Sequence, residues 1–405
     1  MQNSKAAKGL TSAKKGLKFE EISEAFNNYW IGKDTKKKGI GYKQFKRWEN
    51  HWKHFVKPDG YLPTAKEMSK IWKNKNNHNL QKNKAANWEP LGPYKRKEEL
   101  YSGNGLGRVN AIAVDPNNPN TWFVGAPAGG LWKSTDAGQN WITTTDHLPQ
   151  IGVSGIAIDP NNSNIVYIAT GDDDHADSYA TGVYKSIDGG LTWNVTGLNS
   201  NIVTGYWTMN EIFIDPTDSN TLWVATSDGF YKTTNAGVSW AKTLPNRVLD
   251  FRLKPGDSNI IYAVGQDSNT YDITLYKSVN KGDTFVEAMT GLPSGSTRMT
   301  IEVTPANPDM LFVFSLTNGS TSFQGIYKSY DDAATFSKTS FSGGSSNAYI
   351  NYSQGWYDMA MTVSPTDPNE IYIPIYQADH KKTPDFFPGR DVPFKLQLPN
   401  GGIID

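Results

Sequence analysis

Ser134-Thr-Asp136-Ala-Gly138-Gln-Asn-Trp141 returns as Ser186-Ile-Asp188-Gly-Gly190-Leu-Thr-Trp193 and again as Thr233-Thr-Asn235-Ala-Gly237-Val-Ser-Trp240. Two weaker copies follow, Ser278-Val-Asn280-Lys-Gly282-Asp-Thr-Phe285 and Ser329-Tyr-Asp331-Asp-Ala-Ala-Thr-Phe336. In these Asn280 replaces Asp, Ala334 stands near the expected Gly, and Phe replaces Trp. The third positions lie 52, 47, 45 and 51 residues apart. A period of that size means one supersecondary unit used repeatedly, each copy burying its apolar face against the next.

A second phrase accompanies the octapeptide. Ile112-Ala-Val114-Asp-Pro116, Ile156-Ala-Ile158-Asp-Pro160, Ile212-Phe-Ile214-Asp-Pro216, Phe251-Arg-Leu253-Lys-Pro255, Ile301-Glu-Val303-Thr-Pro305 and Met361-Thr-Val363-Ser-Pro365 all place apolar residues two and four before Pro. That alternation is the period of a strand with one face buried. Asn- and Asp-rich turns follow, then a second apolar strand such as Ile165-Val-Tyr-Ile168 and a third such as Gly182-Val-Tyr-Lys185. With the octapeptide as the last hairpin, each unit offers about four short strands, the content of one propeller blade. The Gly supplies a positive φ cheaply, and the Asp can accept bonds from nearby backbone N–H groups.

The octapeptide resembles the Asp-box, or BNR repeat, of sialidases, xyloglucanases, sortilin-type receptors and photosystem assembly factors. The resemblance covers residues 88–375. It implies an all-β propeller in which Asp136, Gly138, Trp141, Asp188, Gly190, Trp193, Asn235, Gly237, Trp240, Asn280, Gly282, Phe285, Asp331 and Phe336 shape blade edges and do no catalysis. The expected Trp role is to plug the space between neighbouring blades.

Composition narrows the rest. Cys is absent, so no disulfide or thiolate chemistry is available. No apolar run is long enough to span a membrane. The net charge of zero conceals two halves: residues 1–98 carry 23 Lys and Arg against 9 Asp and Glu, leaving 17 against 31 in the remainder. A sign change of that kind marks a boundary. The expected organisation is a disordered basic tail over 1–18, a helical extension over 19–75, a linker over 76–87, a propeller over 88–376 and an irregular tail over 377–405.

Within the extension, Phe19, Ile22, Phe26 and Trp30 share one helical face, and Tyr42, Phe45, Trp48, Trp52 and Phe55 recur at 3, 3, 4 and 3. Thr64-Ala-Lys-Glu67 reads as a capping box opening a third helix. Aromatic and basic residues interleave, but one aromatic stripe packing on a helix or on the propeller explains them, and no nucleic-acid partner is expected. The phrases Ala25-Phe-Asn-Asn-Tyr-Trp30, Gly41-Tyr-Lys-Gln-Phe-Lys-Arg-Trp-Glu49 and Pro58-Asp-Gly-Tyr-Leu-Pro63 resemble the leader of large secreted propeller proteins of Bacteroidetes, which often carry a type IX secretion sorting domain. That resemblance implies an extracellular or cell-surface location. Neither a signal peptide nor a sorting domain is seen, so a processed or truncated chain is expected.

Six strand-Pro phrases and five octapeptides predict about five and a half blades, an incomplete ring. Aligning the repeats on Pro places Arg108, Arg247, Arg298, Trp356, Tyr357 and Asp358 near the starts of the inner strands, at one mouth of the channel. There they are candidates for binding a glycan or protein partner. The run Gly171-Asp172-Asp173-Asp174-His175-Ala-Asp177 interrupts blade two. Three readings of it stand: a solvated acidic loop, a Ca²⁺ site through Asp172, Asp173, Asp174 and Asp177, or an acid–base pair with Asp172, Asp174 and Asp358 as catalytic candidates. The functional expectation is a recognition module; the alternative is a glycoside hydrolase resembling xyloglucanases or sialidases.

Overall fold

Each repeat of the sequence closes one antiparallel sheet. The computed structural model describes residues 17–36, 41–77, 108–173, 178–203, 207–267, 270–317, 322–339, 359–374 and 393–397. Residues 111–143, 153–199, 209–244, 247–287 and 298–338 each form a sheet of four strands in chain order, and residues 362–374 with 393–397 form one of three. Neighbouring sheets meet through their first strands. Ala111–Asp115 packs on Val153–Ile158, which packs on Met209–Asp215, then Arg247–Lys254, Arg298–Val303 and Thr362–Val363. The sheets are therefore blades of a β-propeller with their first strands innermost.

The core is divided among the blade interfaces. Phe123, Leu131, Val166 and Ile168 fill the first joint; Tyr167, Val183, Ile212 and Val224 the second; Trp223, Phe230, Phe251 and Ile261 the third. Tyr262, Leu275, Met299 and Val313 fill the fourth, and Phe312, Phe314, Met361 and Ile371 the fifth. Second strands are covered on both sides, which is why Val166–Thr170 is buried at every position and reads as a continuous apolar run. Blade one is different on its other face. Ile112, Val114 and Trp132 are 70%, 49% and 39% exposed, whereas Ile158 and Tyr184, at the positions of blade two that match Val114 and Trp132, are buried against blade one.

The octapeptide acts as the clasp of each joint. In blade two Ser186 Oγ donates to Asp188 Oδ1 at 2.7 Å and accepts Gly190 N at 2.7 Å, while Asp188 accepts the N–H and hydroxyl of Thr192. Bonds of this kind from Asn140 and Ser134 hold Asp136 down to about 2. The tight hairpin presents its positive-φ pair to an aromatic on the preceding blade. Tyr167 Oη donates to Ala236 O at 3.2 Å, Trp223 Nε1 to Lys281 O at 2.8 Å, and Tyr262 to the Asp332 carboxylate. At Gly190, φ is +86° and an added Cβ would sit 2.9 Å from Phe123 Cε1, so both backbone and space demand Gly. In the fifth copy it is Ala333, not Ala334, that takes the Gly position: its φ is +64° and its N–H donates to Ser329 Oγ at 2.9 Å. Of the octapeptide tryptophans described, Trp193 reaches across a joint by hydrogen bond, donating to Thr144 Oγ1 of blade one at 3.1 Å, whereas Trp141 donates to Gly138 O in its own hairpin.

The strand-Pro turns fasten the same end of the blades, where each octapeptide bonds back to its own turn, as Gly189 N does to Asn164 O at 2.9 Å. Asp115 Oδ1 accepts Asn117 N and, from blade two, Ser163 Oγ at 2.6 Å. Asp215 repeats this with Thr217 N and Ser258 Oγ of blade four.

Helices α1 (Phe19–Trp30), α2 (Tyr42–Trp52) and α3 (Ala65–Asn77) form, and of the aromatic stripes Phe26, Trp30, Phe45 and Trp52 are buried while Phe55 stays exposed. Phe26 stacks on Phe45 with centroids 3.7 Å apart. The capping box forms, Thr64 N donating to Glu67 Oε2 at 2.7 Å and Glu67 N to Thr64 Oγ1 at 3.2 Å. Helix α3 runs two residues past the expected start of the linker at 76. A further correction falls in the tail expected to be irregular over 377–405: Pro393–Gln397 is a strand on Glu370–Pro374. Its alternating Phe394 and Leu396 have the period of a strand, and pairing relieves an open sheet edge.

Candidate functional site

The mouth predicted from the repeat alignment exists as one end of the blades. Each inner strand opens there by bonding to the end of the second strand or the loop beyond it. Asn110 N donates to Gly125 O, Gly171 N to Gly152 O, Ser227 N to Thr208 O and Thr297 N to Leu316 O, all at 2.8–2.9 Å. Arg247 pairs in register with Gln266. Arg108, Arg247 and Arg298 thus share one rim. Trp356, Tyr357, Asp358, Asp174 and Asp177 lie outside the described residues.

Two charged groups meet at that rim. The first is built on the blade-two insertion. Asp172, fully buried, receives Arg108 Nη2 at 2.5 Å, and its backbone N–H closes the loop on Ser178 O. Asn110 Nδ2 donates to Asp173 Oδ1 at 2.5 Å and to Asp172 Oδ1 at 3.3 Å. The loop seats tightly on blade one: a Cβ on Gly152 would fall 2.3 Å from Pro127 O. Asp172 thus forms an ion pair that ties blade one to blade two. Among the described residues no group of three His, Cys, Asp or Glu could hold a metal ion.

The second group is Arg247 and Arg298, first residues of adjacent inner strands. Burial, then the nearby charge of Arg298, pushes Arg247 down to about 10, with Asp173 pulling the other way. A blade-four side chain that feels both blade two and blade five lies toward the centre of the mouth.

The same insertion carries the helical extension. Tyr179 stacks on Trp52 at 5.0 Å and 9°, and its hydroxyl donates to Pro63 O at 2.9 Å. Trp52, Leu62 and Tyr179 are buried together, with Phe19, Trp48 and Met68 around them. The acidic run, read as a solvated loop, a metal loop or a catalytic loop, is in its described part a ledge joining mouth and helices.

Deeper between the blades is a cluster that repeat alignment did not single out. Arg252 Nη1 contacts Glu211 Oε1 at 2.8 Å and Asp250 Oδ1 at 2.6 Å, and Nη2 contacts Glu302 Oε1 at 2.7 Å. Asp250 Oδ2 also accepts Thr300 Oγ1 and Ile301 N of blade five. One guanidinium holds carboxylates from blades three, four and five. Burial pushes Glu211 up to about 8, Arg252 opposing and Asp250 adding to the rise; burial raises Glu302 too. Glu211 keeps 30% side-chain exposure, so it is shielded by the converging inner strands without being sealed. The signal was visible in the strand-Pro phrases, where Arg252 and Glu302 occupy the centre position held by Ala113 and Ala157 in blades one and two.

No protein-family model matches the chain. A xyloglucanase of Acetivibrio thermocellus is 29% identical over 168 residues, 38% of this chain and 20% of that protein. A xyloglucanase of Hypocrea jecorina is 30% identical over 179 residues, 42% of this chain and 18% of that protein. One from Paenibacillus is 25% identical over 239 residues, 51% and 23% of the two chains. The chain thus spans about a fifth of the length of these curated relatives. Among solved structures, an ancestral GH74 enzyme superposes with a TM-score of 0.53 at 21% identity, over 69% of this chain and 40% of that one. A GH74 enzyme of Niastella koreensis gives 0.53 at 20% identity, over 73% and 46%. These structures share the propeller fold. Among the described residues no helix is long and apolar enough to cross a membrane.

Proposed function

We propose that this chain is a polysaccharide-recognising propeller of a glycoside hydrolase resembling xyloglucanases, acting outside the cell and engaging glycan at the mouth end of its blades. One observation carries the reading. In a chain whose sequence relatives are xyloglucanases, Arg108, Asp172, Asp173, Arg247 and Arg298 from blades one, two, four and five converge on a single rim. Hydrolysis needs two carboxylates flanking the scissile bond. With Asp172 tied to Arg108, Asp173 is the described carboxylate best placed to face a ligand, and Asp174 and Asp358 are the proposed partners. Blade edges shaped by the octapeptide, which resembles the Asp-box, stay outside this role.

The test uses the full chain. Native gels cast with xyloglucan or other polysaccharides should retard it, and reducing ends should appear in solution. Asp173→Asn should leave the retardation and lower the release of reducing ends by about 10²-fold or more, the size of a lost acid or base. A chain that neither migrates more slowly in any polysaccharide nor releases reducing ends would refute the proposal.

A further inference from the structure

Arg247 and Arg298 are an unusual pair. Each begins an inner strand, in adjacent blades. The Nε atoms of both are buried and have no hydrogen-bond partner. Among the described residues Arg298 has no ion pair at all, and Arg247 has a single 3.5 Å contact, Nη1 to Gln266 Oε1. Every other arginine described with its head group withdrawn from solvent is matched: Arg108 by Asp172, and Arg252 by three carboxylates. Two guanidiniums sharing a partly desolvated mouth repel each other and forgo the hydrogen bonds that water would supply. Two guanidiniums side by side offer the donors that an anion takes up.

We infer that Arg247 and Arg298 form a receptor for one singly charged anionic substituent on a glycan, the carboxylate of a uronate. Among the described residues of the rim, Arg108 is matched by Asp172, and Asp173 is the carboxylate that acts on Arg247, so the two arginines keep donors for a ligand's anion. Guanidinium forks match a planar carboxylate in bidentate fashion, and Lys would not. The inference rests on the glycan reading above and specifies it: the preferred polymer bears acidic branches. A sulfate ester shares the chemistry, being also a monoanion on sugar.

Calorimetric titration of the full chain separates these sources. The ligands are a glucuronate-bearing xylo-oligosaccharide, its carboxyl-reduced counterpart, a sulfated oligosaccharide, sodium sulfate and a glutamate-rich peptide. The acidic oligosaccharide should bind at least tenfold more tightly than the reduced one. Arg298→Gln and Arg247→Gln should each weaken it about ten- to hundredfold, the range for a charge-assisted contact, with Arg298→Lys between Gln and wild type. Because Arg298 has no ion-pair partner among the described residues, the ligand-free Arg298→Gln variant should melt no lower than wild type. Tighter binding of the sulfated sugar would keep the monoanion receptor and reassign its ligand. Equal binding of acidic and reduced oligosaccharides would overturn the inference and leave glycan recognition intact. Loss of all oligosaccharide binding, with an Arg298-dependent affinity for glucuronic acid alone, would sink the glycan reading and spare the anion receptor. A peptide or sulfate that outcompetes every sugar would overturn both.

Discussion

Arg252→Met is expected to destabilise the protein by about 3–5 kcal/mol, seen as a lower urea midpoint at neutral pH. The guanidinium is the only cation contacting Glu211, Asp250 and Glu302 among the described residues, and the three carboxylates come from three successive blades. Removing it strips Glu211, Asp250 and Glu302 of their shared donor and counter-ion in a shielded space, and two blade joints lose that tie at once. Neutralising the acids along with it, as Glu211→Gln, Arg252→Met and Glu302→Gln together, should recover most of the loss, because uncompensated charge is the cause. The pH dependence follows from Glu211, whose carboxyl is raised from its ordinary 4.5 to about 8. A raised carboxyl binds its proton more tightly folded than unfolded. Its contribution is fully present below the mid-fours and is lost as pH climbs toward about 8, after which it levels off. Glu211→Gln should flatten that slope; an unchanged slope would place the titration elsewhere.

The second large effect is expected at Trp193. Its ring is 7% exposed in the joint between blades one and two, and its indole N–H donates to Thr144 Oγ1, which in turn donates to Gly190 O at 2.6 Å. Trp193→Ala should cost about 3–5 kcal/mol through the cavity and the lost indole bond together. Trp193→Phe keeps most of the ring and loses the bond, for about 1 kcal/mol beyond its packing change. Trp141→Ala should cost clearly less, since that ring is only partly buried and bonds within its own hairpin. Equal losses at Trp141 and Trp193 would contradict the role given to the clasp.

Those two sites show what could be read from residues alone. The octapeptide and the strand-Pro phrase were legible because hairpin and strand are local: Gly at positive φ and apolar alternation need no knowledge of neighbours. Aligning the repeats was enough to bring Arg108, Arg247 and Arg298 to one rim, since blades are related by a regular rotation. What escaped notice was contact between repeats. Arg252 and Glu302 stand in the quoted phrases, but their partners lie 41 and 50 residues away on other blades. Tyr179 ends an acidic run that looked like a ligand loop, and its use as a seat for Trp52 requires a helix more than a hundred residues earlier. Likewise, the Ala333 position became clear only from its φ and its bond to Ser329. Pro393–Gln397 falls in a stretch expected to be irregular, and its strand shows only in its pairing with Glu370–Pro374.

The most direct test of glycan engagement at the mouth is the electron density of a crystal soaked with a branched β-glucan oligosaccharide. Sugar density is expected across the rim formed by Arg108, Asp173, Arg247 and Arg298, with at least one ring within hydrogen-bond reach of Asp173. Density instead on the outer hairpins, or at the opposite end among Asp115, Asp159 and Asp215, would contradict the account.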